Sequence, residues 1–280
     1  MLYKYFYFEV FFNQIFIIRG FYRYLMKTLI IEQPSLQLEW KKDNGKSYMC
    51  SAIRTNYSKI SPLIVSAIAK RAGYEVEAVD MKIRDQENTI PYKEFRYGDG
   101  KMVASRKGIS FESLENKVLD AEVLSMSINP TQWAQISIDF MKYAKSVNPK
   151  IKTIIGGTDA MIRPDYYLKN GVDFVIIGEG DNNGVELYKK IAEGKKDFNE
   201  ISGLAYKENG NVKINPRGFQ KVNLDKTPLP DFESFKRDIN LWTTPIEYFP
   251  LPKRAKSPLA FIDFSRGCAE NCGYCTTPFK

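Results

Sequence analysis

Lys152-Thr153-Ile154-Ile155-Gly156-Gly157 and Phe174-Val175-Ile176-Ile177-Gly178-Glu179-Gly180 share one pattern: a short apolar run, a glycine turn, and a helical stretch beyond it. A run without polar alternation suits a parallel strand buried on both faces. Working back along the chain, Ile136, Phe140, Tyr143, Ala144 and Val147 recur at helical spacing behind a third such run, Val123-Leu124-Ser125-Met126-Ser127. Glu75-Val76-Glu77-Ala78-Val79 supplies a fourth strand, and the short apolar run Thr28-Leu29-Ile30-Ile31 a fifth. Ser61-Pro62 supplies an N-cap with proline at the first helical position, Leu63, Ile64, Ala67 and Ile68 form the apolar stripe, and Gly73 stops the helix. A polar, glycine-punctuated stretch from Arg84 to Gly108 precedes a short helix near Ser113 to Val118. Five strands alternating with helices predict an α/β, doubly wound parallel sheet, covered on both faces. In such sheets ligands bind outside the carboxyl ends of the strands, where strand order reverses.

The turns at Gly156-Gly157 and Gly178-x-Gly180 lie at those ends. Glycine there permits positive φ and lets a flat or phosphate-bearing ligand approach the backbone, but it also makes a tight turn with no ligand at all. Neither turn completes G-x-G-x-x-G and no Walker lysine loop is present, so spacing alone leaves both readings open.

The composition, 44% hydrophobic and 26% charged, is that of an ordinary globular chain. Its net charge of +8 comes from scattered lysines and arginines, the densest group being Lys253, Arg254 and Lys256 among prolines, which predicts a solvated linker and no nucleic-acid partner. The absence of histidine removes histidine-based triads, dyads and zinc sites. Residues 1–25 stand apart: they hold 11 of 38 aromatics, and Met26 directly precedes the first strand. Their longest uncharged run, Val10 to Ile18, is nine residues, against the ~20 of a membrane span. The segment reads as an added extension, or alternatively as a peripheral hydrophobic anchor. With no secretory signal, the expected compartment is the reducing cytoplasm, where close cysteine spacing indicates metal. The organisation predicted is residues 1–25 as extension, 26–197 as the α/β domain, 198–257 as a hairpin and proline-rich connector, and 258–280 as the start of another domain. The hairpin rests on Asn209-Gly210, a pair that favours a primed turn. Leu259 to Phe264 is a further strand feeding a cysteine-bearing loop.

That loop, Cys268-Ala269-Glu270-Asn271-Cys272-Gly273-Tyr274-Cys275, holds three of the four cysteines. Three thiolates can ligate three irons of a cubane and leave the fourth open to an exogenous ligand. Zinc with Cys50 as fourth ligand, or incidental thiols, are the alternatives.

Cys268-x3-Cys272-x2-Cys275 with Tyr274 resembles the signature of radical S-adenosylmethionine enzymes. The preceding domain resembles the Rossmann/flavodoxin-like cobalamin-binding (B12-binding) domain of their cobalamin-dependent class. Asp80, Ser125-x-Ser127 with Thr131, the two glycine turns with Glu179 and Asp181, and Leu224-Asp225-x-x-Pro228-Leu229-Pro230-Asp231 carry that likeness.

The resemblance implies a 4Fe-4S cluster on Cys268, Cys272 and Cys275, with S-adenosylmethionine chelated at its open iron and cleaved to a 5′-deoxyadenosyl radical, and Tyr274 near the adenine. It implies cobalamin over the strand ends near Ser127, Thr131, Gly156, Gly157, Gly178, Glu179 and Gly180. It also implies an electron donor such as flavodoxin or ferredoxin, and a parent reaction of radical methyl transfer or rearrangement. The Asp-x-His-x-x-Gly motif that supplies a lower axial ligand in other cobalamin proteins cannot occur here, so cobalamin would bind without a histidine ligand. Five residues follow Cys275, whereas a (β/α) barrel needs far more. The expectation is therefore the front part of an enzyme, truncated after the first barrel strand and inactive alone, the alternative being a stand-alone corrinoid-binding module.

Overall fold

The computed structural model describes residues 26–52, 60–85, 87–129, 131–218, 223–239 and 241–242. The extension at 1–25 and the cysteine loop lie outside the described residues.

The chain opens with β1 (Lys27–Glu32), β2 (Ser35–Lys42) and β3 (Ser47–Ala52), then α1 (Ile60–Arg71) and β4 (Glu75–Asp80). β5 (Thr89–Tyr97) and β6 (Gly100–Lys107) form a ribbon before α2 (Glu115–Asp120) and β7 (Val123–Ser127). Next come α3 (Ala134–Val147), β8 (Lys152–Gly156), α4 (Thr158–Ile162), α5 (Pro164–Lys169), β9 (Phe174–Ile176) and α6 (Gly180–Ala192). β10 (Leu204–Glu208), β11 (Asn211–Ile214) and α7 (Lys236–Ile239) complete the described elements.

The five expected strands form one sheet in the order β4-β1-β7-β8-β9, all parallel, with β10 and β11 added antiparallel at the β9 edge. From β1 the chain passes outward to β4 and then returns to the other flank of β1 as β7, so strand order reverses between β1 and β7.

Alternation along each strand sends side chains to opposite faces. Leu29, Ile31, Leu124, Met126, Ile155 and Val175 share one core with Val118 of α2 and Ile136, Phe140 and Ala144 of α3. Val123, Ile154 and Phe174 share a second with Ile68 of α1 and Leu187 and Tyr188 of α6. A carbon added at Gly184 would sit 3.0 Å from Ile68 Cγ2, so α6 comes close to α1 because that residue has no side chain.

Three features depart from the sequence expectation. First, residues from Arg84 to Gly108, read as a polar spacer, hold β5 and β6, which join β2 and β3 in a separate antiparallel sheet, β3-β2-β6-β5. Cys50, the alternative fourth zinc ligand, is exposed on β3 of this sheet. Charged residues such as Lys93, Glu94, Arg96 and Lys101 occupy this ribbon, and the exposed strand β5 lacks the apolar signal that betrays a buried one. Leu36 and Tyr92 pack on the main core, and the Arg106 guanidinium lies 3.9 Å from the centre of the Phe111 ring, anchoring the ribbon's base.

Second, the Asn209-Gly210 hairpin has the positive φ angles of a primed turn, 53° and 84°. It extends the main sheet through β9, although the sequence grouped it with the connector at 198–257. Third, the connector is not merely extended: a 3-10 turn at Glu233–Phe235 and α7 form a brace against α1 and β4. Phe235 and Trp242, each 1% exposed, pack with Ile30, Leu63, Ala78 and Ile83. The Asp231 amide donates to the Leu63 carbonyl at 3.1 Å, and Lys70 pairs with the Asp231 carboxylate at 2.8 Å. Among the described residues no helix is long and apolar enough to cross a membrane.

Candidate functional site

The parallel strands deliver Glu32, Asp80, Ser127, Gly156 and Ile176 to one rim of the sheet. Glu32 is in register with Asp80, and Ser127 with Gly156. Asn129, just past β7, ties three segments of this rim together. Its Oδ1 accepts from the Thr158 amide at 3.1 Å, while its Nδ2 donates to Ser61 Oγ at 3.3 Å. The Ile128 amide donates to the Gly156 carbonyl at 2.8 Å, and the Asp159 amide to the Ile128 carbonyl at 3.0 Å.

This lacing sorts the residues singled out in the sequence. Gly157 has φ of 95°, and a Cβ there would lie 2.6 Å from the Ile128 carbonyl oxygen, so chain crossing alone requires its glycine. Gly178 has φ of 102°, and the space above it is taken by Arg217, whose Nε is 2.9 Å from the position of an added Cβ. Gly180 begins α6 and lies against Ile68, with Glu179 as the preceding N-cap residue. Thr131 donates to Asp159 at 2.5 Å, turned toward the protein's own carboxylate. Gly156 is different: an added carbon would meet nothing nearer than 3.9 Å. Ser127 and Gly156 thus remain side by side on the rim with room at the glycine, whereas Gly157, Gly178 and Thr131 have structural partners.

Asp159 was missed by sequence reasoning. It is 1% exposed and also accepts from Arg163 Nη2 at 2.7 Å and Tyr167 Oη at 2.5 Å. Burial opposes its charge, but bonds from Arg163, Thr131 and Tyr167 outweigh that and hold its carboxyl below the ordinary carboxylate range. The same burial and the carboxylate partner push the Tyr167 hydroxyl upward.

At the β1–β4 edge, Asp80 Oδ1 accepts from the amides of Lys82 and Ile83 at 3.0 and 3.4 Å, and its own amide donates to Asp238 Oδ2 at 3.0 Å. Asp238 is clasped by Arg84, with Nε at 2.7 Å and Nη2 at 3.2 Å. Burial pushes the Asp80 carboxyl up to about 7; Lys82 opposes this, and the charges of Glu32 and Asp238 reinforce it. One residue beyond β1, Gln33 is 1% exposed, and neither atom of its carboxamide has a hydrogen-bond partner. Burying such an amide unpaired costs on the order of 2–7 kcal/mol. The sequence signal for it was slight: a polar residue between an apolar run and Pro34.

A small cleft of about 100 Å³, lined by Lys27, Glu75, Glu77 and Lys117, opens at the amino ends of β1 and β4. Its walls pair with one another, Lys117 with Glu77 at 2.6 Å, and it lies at the wrong end of the sheet for a strand-end ligand.

The family model described as B12 binding domain matches residues 49–187. The chain carries a B12-binding domain. The match runs from β3 into α6 and includes Ser127 and Gly156. An uncharacterized methyltransferase, PH0819, of Pyrococcus horikoshii is 29% identical over 141 residues, covering 50% of this chain and 28% of the relative. Cytidylyl-2-hydroxyethylphosphonate methyltransferase of Streptomyces wedmorensis is 24% identical over 237 residues, 76% of this chain and 42% of the relative. Hopanoid C-3 methylase of Methylococcus capsulatus is 24% identical over 227 residues, 79% of this chain and 36% of the relative. The chain spans 23 to 42% of the length of such curated relatives. The fold is shared with the cobalamin-dependent S-adenosylmethionine radical enzyme OxsB solved with aqua-cobalamin bound, at a TM-score of 0.52 and 15% identity over 77% of this chain and 25% of that one. The similarity to cobalamin-dependent radical S-adenosylmethionine enzymes read from the sequence is thus shown. The rim also suits a corrinoid: Gly156 presents no side chain, an added carbon there meeting nothing nearer than 3.9 Å, and Gln33, ahead of the matched stretch, keeps an unmatched buried amide.

Cys268, Cys272, Cys275 and Tyr274 lie outside the described residues. Among the described residues no group of three His, Cys, Asp or Glu side chains is placed to hold a metal ion.

Proposed function

We propose that this chain binds cobalamin across the carboxyl ends of its parallel sheet and serves radical S-adenosylmethionine-dependent methyl transfer. The observation that carries the reading is the pairing of Ser127 with Gly156 beside the reversal of strand order, inside a B12-binding domain. With no side chain at Gly156, a flat face can approach the main chain there. Asn129 holds the loops after β7 and β8 to the start of α1, so the rim is fixed before a ligand arrives. When bound, cobalamin supplies methyl-group transfer chemistry, and the protein supplies placement and exclusion of water. The chain has no histidine that would ligate such a group.

In this proposal Cys268, Cys272 and Cys275 hold a 4Fe-4S cluster whose fourth iron takes S-adenosylmethionine, fed by a flavodoxin or ferredoxin. Three thiolates at x3 and x2 spacing are the donor set that leaves such an iron open. The setting proposed is the cytoplasm.

Titration of the full chain with hydroxocobalamin, followed by absorbance, tests the first half: saturable binding weakened by Ser127→Leu or Gly156→Val is expected, and no spectral change at any concentration would refute it. Anaerobic reconstitution with iron and sulfide tests the second. Wild-type protein should gain a cubane spectrum that the Cys268→Ala, Cys272→Ala, Cys275→Ala triple variant lacks, and equal iron uptake by both would refute it. Corrinoid binding without a cluster would favour a corrinoid-binding module.

A further inference from the structure

Gln33 follows the last residue of β1, and β2 begins at Ser35, so it occupies the short turn by which the chain leaves the main sheet. The Glu32 carbonyl before it is taken by the Met81 amide at 3.0 Å. On the other flank of β1 runs β7, the strand across which order reverses. Gln33 therefore sits at the switch point, on the rim where ligands of doubly wound sheets bind.

Its surroundings do not serve it. The carboxamide is buried, yet both Oε1 and Nε2 lack partners, while neighbouring polar groups are engaged with one another: Asp80 with Lys82 and Ile83, Asp238 with Arg84 and Asp80. Native proteins seldom leave both ends of a buried amide unmet, and when they do the group calls for an explanation. Lys82 and Arg84 are taken up by Glu32, Asp80 and Asp238, which leaves no uncompensated positive charge to hold a phosphate or carboxylate here. A hydrocarbon would leave the amide unmet. A neutral group with one donor and one acceptor satisfies both atoms.

We propose that Gln33 recognises the rim of the corrin ring, pairing its carboxamide with one of the ring's peripheral amide side chains, Nε2 donating and Oε1 accepting. This rests on the cobalamin reading above, but it concerns a residue outside the 49–187 match to the B12-binding domain. Acetamide and propionamide groups surround a corrin, so an amide partner is a chemical property of the ligand class. Gln33 then acts in specificity, separating intact corrinoids from those whose amides have been hydrolysed to acids.

The test compares wild type with Gln33→Met, which keeps the volume and discards both hydrogen-bonding atoms, and with Gln33→Asn, which keeps the amide on a shorter stem. Without ligand, Gln33→Met should melt at a higher temperature than wild type, because the unmet amide is gone. Its Kd for hydroxocobalamin should weaken about tenfold, and its preference for hydroxocobalamin over a monocarboxylate derivative should vanish. Gln33→Asn should fall between the two. If wild type binds hydroxocobalamin and Gln33→Met binds it equally well with the same preference, the Gln33 proposal is overturned and the cobalamin reading survives. If wild type shows no binding, both fall.

Discussion

Replacing Asp80 by asparagine should make the protein more stable at neutral and alkaline pH. The carboxyl is buried beside Asp238 and Glu32, and its pKa rises from 3.8 to about 7. Between about pH 4 and 7 the unfolded chain has released a proton that the folded chain retains, so stability falls as pH rises, by about 1.4 kcal/mol per pH unit at the steepest, and levels off above 7. The full interval sets a ceiling of about 4 kcal/mol on the cost of ionising Asp80 in the fold. Asp80→Asn keeps an acceptor oxygen for the amides of Lys82 and Ile83 and has nothing to titrate. Urea denaturation of the full chain, read by tryptophan fluorescence at pH 5, 6, 7 and 8, measures the difference. The variant's advantage should grow from pH 5 to about 7, level off beyond that, and reach at least 1–2 kcal/mol at pH 8. Stability curves of the two proteins that run parallel from pH 5 to 8 would refute the reasoning, because no proton would then distinguish the folded carboxyl from the unfolded one.

Asp159 has the opposite sign: its folded pKa is depressed, so its contribution is present above the ordinary carboxylate pKa and lost as pH falls through the folded value. An acid titration by circular dichroism should show wild type losing stability faster than Asp159→Asn below about pH 4. Gly157→Ala faces both a positive φ and a carbonyl at 2.6 Å; it should cost about 3 kcal/mol or more, measurable as a lowered denaturation midpoint, and a loss under 1 kcal/mol would disprove the crossing argument. Phe235→Ala empties a fully buried site in the brace and should cost about 3–5 kcal/mol by the same assay.

The parallel strands were legible because they are buried on both faces: Thr28 to Ile31 and Ile154-Ile155 have no polar alternation to confuse them with an edge. The second sheet was not, because a ribbon buried only near its base obeys charge and solubility more than burial; Glu94 and Lys101 pair across it as they would in a loop. At the strand-end rim, sequence marked the glycine turns but not the work of each residue. Gly156 and Gly157 are identical letters, yet a carbon added at one meets nothing nearer than 3.9 Å and at the other a carbonyl at 2.6 Å, and only the path of the β7 loop separates them. Asp159 and Gln33 went unnoticed because their significance lies in partners brought from elsewhere, or in partners missing, and neither leaves a local pattern.

The brace also determines where this molecule can be cut. A fragment ending at 197, the boundary suggested by composition, would forfeit β10 and β11 and the aromatic pair Phe235 and Trp242. Ile30, Leu63, Ala78 and Ile83 would then face water, and β9 would become a bare edge open to pairing with another chain. Insolubility of such a fragment would report the missing flank, not a defective ligand site. Excision after Trp242 preserves both sides.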